Sequence, residues 1–325
     1  MPALTYIDAI SRGMWEEMER DPSVFLIGED IGAYGGAFKA TKGFQEHFGP
    51  ERVIDSVLSE AAIIGAATGA AVAGMRPIAE MQFADFITCG FNQIVTNASK
   101  IYYRWGIPVP MVVRLPSGGY IHGGPYHSAS TEAWFAHVPG LKIVAPSTPS
   151  DAKGLIKSAV RDNNPVMFFE FKYLYRRVKG EVPEGDITVP IGKGDVKREG
   201  GDVTIITYGS TVHFALEAAE MVSKEDGIET KVVDLRTLLP LDRDLIIDSV
   251  RATGRALIVH EDTLTGGVGG EVAALIAEHA FQDLDAPVKR VGALDAPVPF
   301  APTLEAAHLP DTERIVHALR ELLQY

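Results

Sequence analysis

Leu58-Ser59-Glu60-Ala61-Ala62-Ile63-Ile64-Gly65-Ala66-Ala67-Thr68-Gly69-Ala70-Ala71-Val72-Ala73-Gly74-Met75-Arg76-Pro77-Ile78-Ala79-Glu80-Met81-Gln82-Phe83-Ala84-Asp85-Phe86 reads as a helix followed by a strand, with one carboxylate at its mouth. Glu60 meets no other charge until Arg76. Ser59 is placed to cap the helix, and the residues after Glu60 are apolar or small all the way round, as in a helix buried on every side. Ala61, Gly65, Gly69 and Ala73 recur every fourth residue, so they share a face on which another backbone can approach closely. Two readings of Glu60 stand side by side: a first-turn carboxylate that only favours the helix dipole, or a carboxyl group carried into a dry place for chemistry.

Outward from this stretch the pattern alternates. Tyr6, Ile7, Ile10, Met14 and Met18 recur near a 3.6-residue period and predict an amphipathic helix over 5–19. Val24-Phe25-Leu26-Ile27-Gly28 predicts a buried strand. Its exit, Gly28-Glu29-Asp30-Ile31-Gly32, is either a plain acidic turn or a loop at the strand end where open α/β sheets place ligands. Further strands are predicted over 76–82, 109–114, 141–145 and 166–170, with helices over 91–103 and 150–161. Such alternation means a parallel sheet with helices on both faces. It restarts with strands over 203–208, 230–234 and 256–260 and helices near 212–223 and 242–250. The expected fold is therefore α/β, in two domains with mainly parallel sheets: 1-180, a linker rich in Gly and Pro over 181-202, and 203-325.

Composition narrows the function classes. The 325 residues can bury two cores, and 46% hydrophobic with 22% charged residues is ordinary for a soluble globular protein. A net charge of -13 without any basic run argues against nucleic acid as a partner. No membrane span is expected, because the longest charge-free apolar segment, 61–75, falls short of the ~20 residues one needs. Cys89 is the single cysteine, which excludes an internal disulfide and a multi-cysteine zinc site. With an N-terminus lacking the basic flank and apolar run of a signal peptide, the expected location is cytoplasmic.

Ser117 to Ser128 is a loop too rich in glycine for regular structure, and it carries His122 and His127. An imidazole titrates near neutrality, so such a loop can present a catalytic base; a solvated loop histidine is the alternative. Thr265-Gly266-Gly267-Val268-Gly269-Gly270-Glu271 does not satisfy G-x-G-x-x-G and reads as a glycine-rich helix entry. Neither a P-loop nor a G-x-S-x-G elbow occurs.

Taken together the chain resembles, over nearly its whole length, the beta subunit of the thiamine-diphosphate-dependent decarboxylating component of 2-oxo acid dehydrogenase complexes. The matching segments are Gly28-Glu29-Asp30-Ile31-Gly32, Leu58-Ser59-Glu60-Ala61-Ala62-Ile63, Glu80-Met81-Gln82-Phe83-Ala84-Asp85-Phe86, Tyr126-His127-Ser128, Asp151-Ala152-Lys153-Gly154-Leu155, Arg161-Asp162-Asn163-Asn164-Pro165 and Asp234-Leu235-Arg236-Thr237. Tyr126-His127-Ser128, Phe168-Phe169-Glu170, Leu174-Tyr175-Arg176 and Thr265-Gly266-Gly267 look more like the branched-chain members than the pyruvate members.

The resemblance implies a transketolase-like pyrimidine-binding domain followed by a transketolase C-terminal-like domain. It makes Glu60 the glutamate that exchanges a proton with the aminopyrimidine ring of thiamine diphosphate, with Leu58, Gln82 and Phe86 lining that ring. His127 becomes the histidine facing the 2-oxo acid substrate and the incoming lipoyl group. No Gly-Asp-Gly occurs in the chain, so the diphosphate and its Mg2+ are expected on an alpha subunit, within an alpha2beta2 heterotetramer that includes a second beta chain. Asp162 and Asn164, with main-chain carbonyls of Met111, Ala159 and Val160, resemble the family's potassium site. The implied reaction is oxidative decarboxylation of a branched-chain 2-oxo acid with acyl transfer to the lipoyl domain of an acyltransferase core. A pyruvate or acetoin member, or a non-catalytic scaffold subunit, are the alternatives. From 255 to 325 the chain has eleven Asp or Glu against five Lys or Arg, an acidic surface suited to a small basic domain of the acyltransferase.

Overall fold

Thr5 caps the first helix, Tyr6–Arg20, by accepting the Asp8 N–H at 3.2 Å, and its apolar stripe of Tyr6, Ile10, Met14 and Met18 is fully buried. That stripe lies on the helix Pro149–Arg161, which starts on Thr148 as cap with proline in its first turn. A Cβ at Gly13 would run into Ile156, so the two helices approach as closely as glycine allows. Each fully buried large apolar side chain contributes roughly 1.5–3 kcal/mol. The computed structural model describes residues 3–325; Met1 and Pro2, where the expected first domain begins, lie outside the described residues.

The chain divides into two compact units, Met1–Ser117 with Trp134–Ile191, and Gly118–Ala133 with Gly192–Tyr325. In the first, strands run in the order Lys142–Val144, Val166–Phe171, Val112–Ser117, Arg76–Glu80, Val24–Glu29 and Val53–Ser56, every neighbouring pair parallel. Val24–Glu29, Val112–Ser117 and Val166–Phe171 are buried at every position, as strands covered on both faces must be. In the second unit a five-stranded sheet runs Lys289–Ala293, Ala256–Thr263, Val203–Thr207, Thr230–Asp234, Asp195–Arg198, parallel except at the last pair. Helices Thr211–Asp226 and Thr312–Leu322 bury Ala215, Ala219, Ile315 and Leu319 in its core. Among the described residues no helix is long and apolar enough to cross a membrane.

Four local expectations change. The helix Glu60–Val72 buries only Ile63, Ile64, Ala67, Thr68 and Ala71, while Ala62, Ala66, Gly69 and Val72 are exposed. Its composition is apolar all round, but this chain covers one side only. Ser59 stands at its N-cap without its side chain accepting any amide. The helix expected over 91–103 follows a 3-10 turn Ala84–Gly90 and is itself divided into a π segment Gln93–Ala98 and an α segment Ser99–Trp105. The stretch 181–202 contains the strand Asp195–Arg198; half-buried and carrying three charges, it reads as polar from sequence because it is an edge strand.

Candidate active site

The chain leaves Val24–Glu29 for Val53–Ser56 on one side and returns to Arg76–Glu80 on the other. This reversal of direction opens a crevice at the carboxyl end of Val24–Glu29, where open α/β sheets bind ligands. The side chains gathered there are Glu29, Asp30, Glu60 and Gln82. Asp30 adopts φ +56°, which Asp tolerates better than most residues, and its Oδ2 accepts Gln82 Nε2 at 3.2 Å. Glu29, 7% exposed, accepts the Ser59 backbone N–H and leaves Oε1 without a partner. Burial pushes its pKa up, and the charges of Glu60 and then Asp30 push it further. Glu60 opens the helix Glu60–Val72 and is half-buried. A buried carboxyl group with an unsatisfied oxygen beside a second carboxyl group is a candidate acid–base pair.

Aromatic and apolar groups complete the rim. Phe86 is half-buried and meets Phe83 edge-on at 5.6 Å, and Phe83 meets Phe38 at 5.4 Å. Leu58 is 81% exposed, an apolar side chain beside a carboxylate with nothing in this chain to cover it. Beneath lies a group that sequence reasoning passed over. Arg114, 1% exposed, grips Glu170 with Nε at 2.6 Å and Nη2 at 2.8 Å, and Glu80 with Nη1. Tyr175 donates to Glu170 Oε2 at 2.8 Å. Two carboxylates share one guanidinium, and Glu80 is pushed upward by burial, with the Glu170 charge adding to it. The signal was available: Arg114 and Glu170 are charges inside otherwise apolar strands, and a buried charge demands a partner.

His127 stands in the second unit, half-buried, on the segment Gly118–Ala133. The entrance of that segment is tied by Glu261, which accepts the Gly119 N–H and the Ser210 hydroxyl. At its exit Glu132 is fully buried; Oε1 accepts Tyr208 OH at 2.8 Å and Oε2 has no partner. Burial and then the Asp262 charge push Glu132 up to about 8.

Comparison with known proteins places these features. The model "Transketolase, pyrimidine binding domain" matches residues 2–178, and "Transketolase, C-terminal domain" matches 192–315. A 2-oxoisovalerate dehydrogenase subunit beta of Bacillus subtilis is 57% identical over 330 residues, covering 100% of both chains. The chain belongs to the beta subunits of the 2-oxo acid dehydrogenases. A pyruvate dehydrogenase E1 component subunit beta of the same organism is 44% identical, again over 100% of both chains. A solved split-gene transketolase, described as an inactive beta4 tetramer, has a TM-score of 0.82 at 27% identity and covers 99% of each chain.

As expected of such a beta subunit, both domain types follow in order, and the glycine-rich stretch at 265–271 is a helix entry. The helix Val268–His279 begins there, and a Cβ at Gly267 would lie 2.7 Å from the His260 ring. The residues expected around potassium gather at the end of Pro149–Arg161, but their acceptors are engaged. Asp162 Oδ2 holds Lys142, and Oδ1 accepts the Asn164 N–H at 2.8 Å and its side-chain amide at 3.1 Å. The Val160 carbonyl accepts Arg76 at 2.8 Å, and those of Met111 and Ala159 accept Val166 and Asp162 amides. Arg76 and Lys142 are the side-chain cations bonded to this set. Among the described residues no group of three or more His, Cys, Asp or Glu could hold a metal ion.

Proposed function

We propose that this chain is the beta half of a 2-oxo acid dehydrogenase of the branched-chain type, holding the aminopyrimidine end of thiamine diphosphate and acting with an alpha subunit that holds the diphosphate and Mg2+. The observation that carries this reading is the pair Glu29 and Glu60, one carboxyl group buried with a free oxygen and the other at a helix start, beside the Phe83–Phe86 rings. These residues suit a flat, basic nitrogen heterocycle: carboxyl groups for its nitrogens, aromatic and Leu58 surface for its faces. When bound, thiamine diphosphate supplies the carbon nucleophile and electron sink that decarboxylation of a 2-oxo acid requires.

The chain's own residues do the rest. Glu60 holds and releases a proton at its carboxyl group. Glu29, held back from ionising by burial and by the Glu60 charge, keeps the local charge low. Gln82 fixes Asp30 at the strand exit, Phe86 and Leu58 exclude water, and His127 serves the substrate and lipoyl side as a proton carrier. The 2-oxoisovalerate subunit's 57% identity, against 44% for the pyruvate subunit, favours a branched-chain substrate. Under this reading the location is cytoplasmic, the assembly is alpha2beta2, and the acyl acceptor is the lipoyl domain of an acyltransferase core.

The test is co-purification with the alpha partner and a decarboxylation assay over pyruvate, 2-oxoisovalerate and 2-oxoisocaproate. Turnover should need both chains and favour the branched substrates. Robust turnover by this chain alone, or none by the pair, refutes the proposal.

A further inference from the structure

The segment Gly118–Ala133 carries His127 yet has little regular structure of its own, so neither helix nor strand aims that imidazole. Its backbone enters the left-handed region at Tyr120 and at His122, both at φ +59°, as well as at Gly118 and Gly124. Side chains other than glycine adopt that conformation only where the surroundings hold them there.

At His122 the holding group is Glu305. Its side chain is 2% exposed. The carboxylate accepts the His122 backbone N–H at 3.2 Å on each oxygen, and its Oε2 lies 2.6 Å from His122 Nδ1. One carboxylate thus grips both main chain and side chain of one residue, which fixes φ and the ring together. Nδ1 can donate to that carboxylate as an N–H. Glu305 is itself fixed in the helix Pro302–His308, and just beyond that helix the Pro310 carbonyl accepts Tyr120 OH at 2.5 Å.

Four residues separate His122 from His127, and they are short of freedom. The turn closes through the His127 N–H to the Gly124 carbonyl at 3.3 Å, and a Cβ on Gly124 would meet the Phe300 ring at 2.9 Å. Fixing His122 therefore limits where the turn can carry His127.

We infer that Glu305, acting through His122, is a positioning residue for His127 in acyl transfer. The inference rests on the role proposed above for His127. Displacing a catalytic group by about 1 Å can cost about 100-fold in rate.

The test uses the enzyme assembled with its alpha partner and the variants Glu305→Ala, Glu305→Gln, His122→Gly and His127→Ala. Three quantities are read: the rate of reductive acylation of a lipoyl domain, the KM for the 2-oxo acid with an artificial electron acceptor, and hydrogen exchange of amides over 118–127. Glu305→Ala and His122→Gly should acylate about 10- to 100-fold more slowly, with KM within about twofold and with faster exchange over 118–127. Glu305→Gln should recover most of the rate, because its side-chain oxygen still accepts the His122 N–H. Wild-type acylation in both Glu305→Ala and His122→Gly, unchanged exchange, or a Gln variant no better than Ala overturns the inference. Should Glu305→Ala fail to fold, His122→Gly decides, since that side chain is half exposed and glycine accepts the backbone angle. An unaffected His127→Ala enzyme would instead overturn the functional reading of His127, while faster exchange in Glu305→Ala would still support the anchor.

Discussion

Glu132→Gln isolates one buried carboxyl group in the second unit. Glu132 is fully buried, is pushed up to about 8 by burial and by the Asp262 and Glu261 charges, and is held against that by its own backbone N–H and by Tyr208 OH. Its folded pKa lies above the unfolded value of 4.5, so the folded chain keeps a proton that the unfolded chain releases. Stability therefore falls as pH rises from 4.5 to about 8, at up to about 1.36 kcal/mol per pH unit. Its neighbours leave a clean window. Asp262, pushed up to about 6 by burial, has ionised above that pH. His260, pushed down to about 4 by burial, is neutral when folded, and above 6.5 it is mostly neutral when unfolded as well. Between pH 6.5 and 8 the wild-type unit should lose about 1.6 kcal/mol from Glu132, less than the limiting slope gives because the group is half ionised at the upper end. The glutamine variant has no proton to lose and should lack that fall, rising slightly instead as the unfolded chain's His260 loses its proton. Gln also buries an amide N–H where Oε2 had no partner, a cost independent of pH, so the slope is diagnostic and the absolute stability is not. The assay is urea titration at pH 6.5 and 8.0, read by hydrogen exchange in Val203–Thr207 and Ala256–Thr263 after correction for the intrinsic pH dependence of exchange. A wild type indifferent to pH in this range, or a variant that falls as steeply, refutes the reasoning.

Glu60→Gln should leave fold and assembly intact and cut turnover by about 100-fold or more, because an amide fills the space but cannot exchange the proton; wild-type deuterium exchange at the cofactor's reactive carbon in the variant removes Glu60 from the chemistry. His127→Ala should slow acyl transfer far more than it weakens cofactor affinity, and a variant unchanged in both returns His127 to a loop stabiliser. The acidic surface expected to dock an acyltransferase is smaller than the count of eleven suggests, since Glu261 and Glu305 are buried and Asp283 and Asp285 pair with Arg251 at 3.3 Å and Arg255 at 3.7 Å. The exposed Glu271, Glu278, Asp295 and Glu313 remain; replacing Glu271 and Glu313 by Gln should slow association with the acyltransferase at low salt, and an on-rate indifferent to both salt and substitution would leave them a solvating role only.

What was legible in the sequence was what local order carries. Val24 to Glu29, Val166 to Phe171 and the stripe from Tyr6 to Met18 declare their period within a dozen residues, and each lies in the structure within a residue or so of where the pattern puts it. Short strands such as Val53–Ser56 and Lys289–Ala293 went unread because four or five residues with a charge or glycine among them carry too little periodicity. The helix after Glu60 is where the pattern puts it, but its burial on every side failed for a different reason. Composition reports what a surface is made of, not whether the same chain covers it, and Ala62, Ala66 and Gly69 are apolar, small and exposed.

The parts of the site that escaped are joined across long separations. Glu261 reaches Gly119 over 142 residues and Glu305 reaches His122 over 183, and neither carboxylate looks unusual among its sequence neighbours. Arg114 with Glu80 and Glu170 could have been suspected, because a charge inside an apolar strand is costly unless paired, but its partners could not be named before the strand order was known. Parallel neighbours put Glu80 directly beside Arg114, and the same sheet carries Glu170 on the next strand. Strand order thus turns three isolated oddities into one ionic floor. It also decides where the candidate site sits, because the reversal of direction at Val24–Glu29 brings Glu29 and Asp30 to the open end of the sheet, and the connection on to Arg76–Glu80 carries Glu60 to the same end. Residue types named the candidates; the sheet made them neighbours.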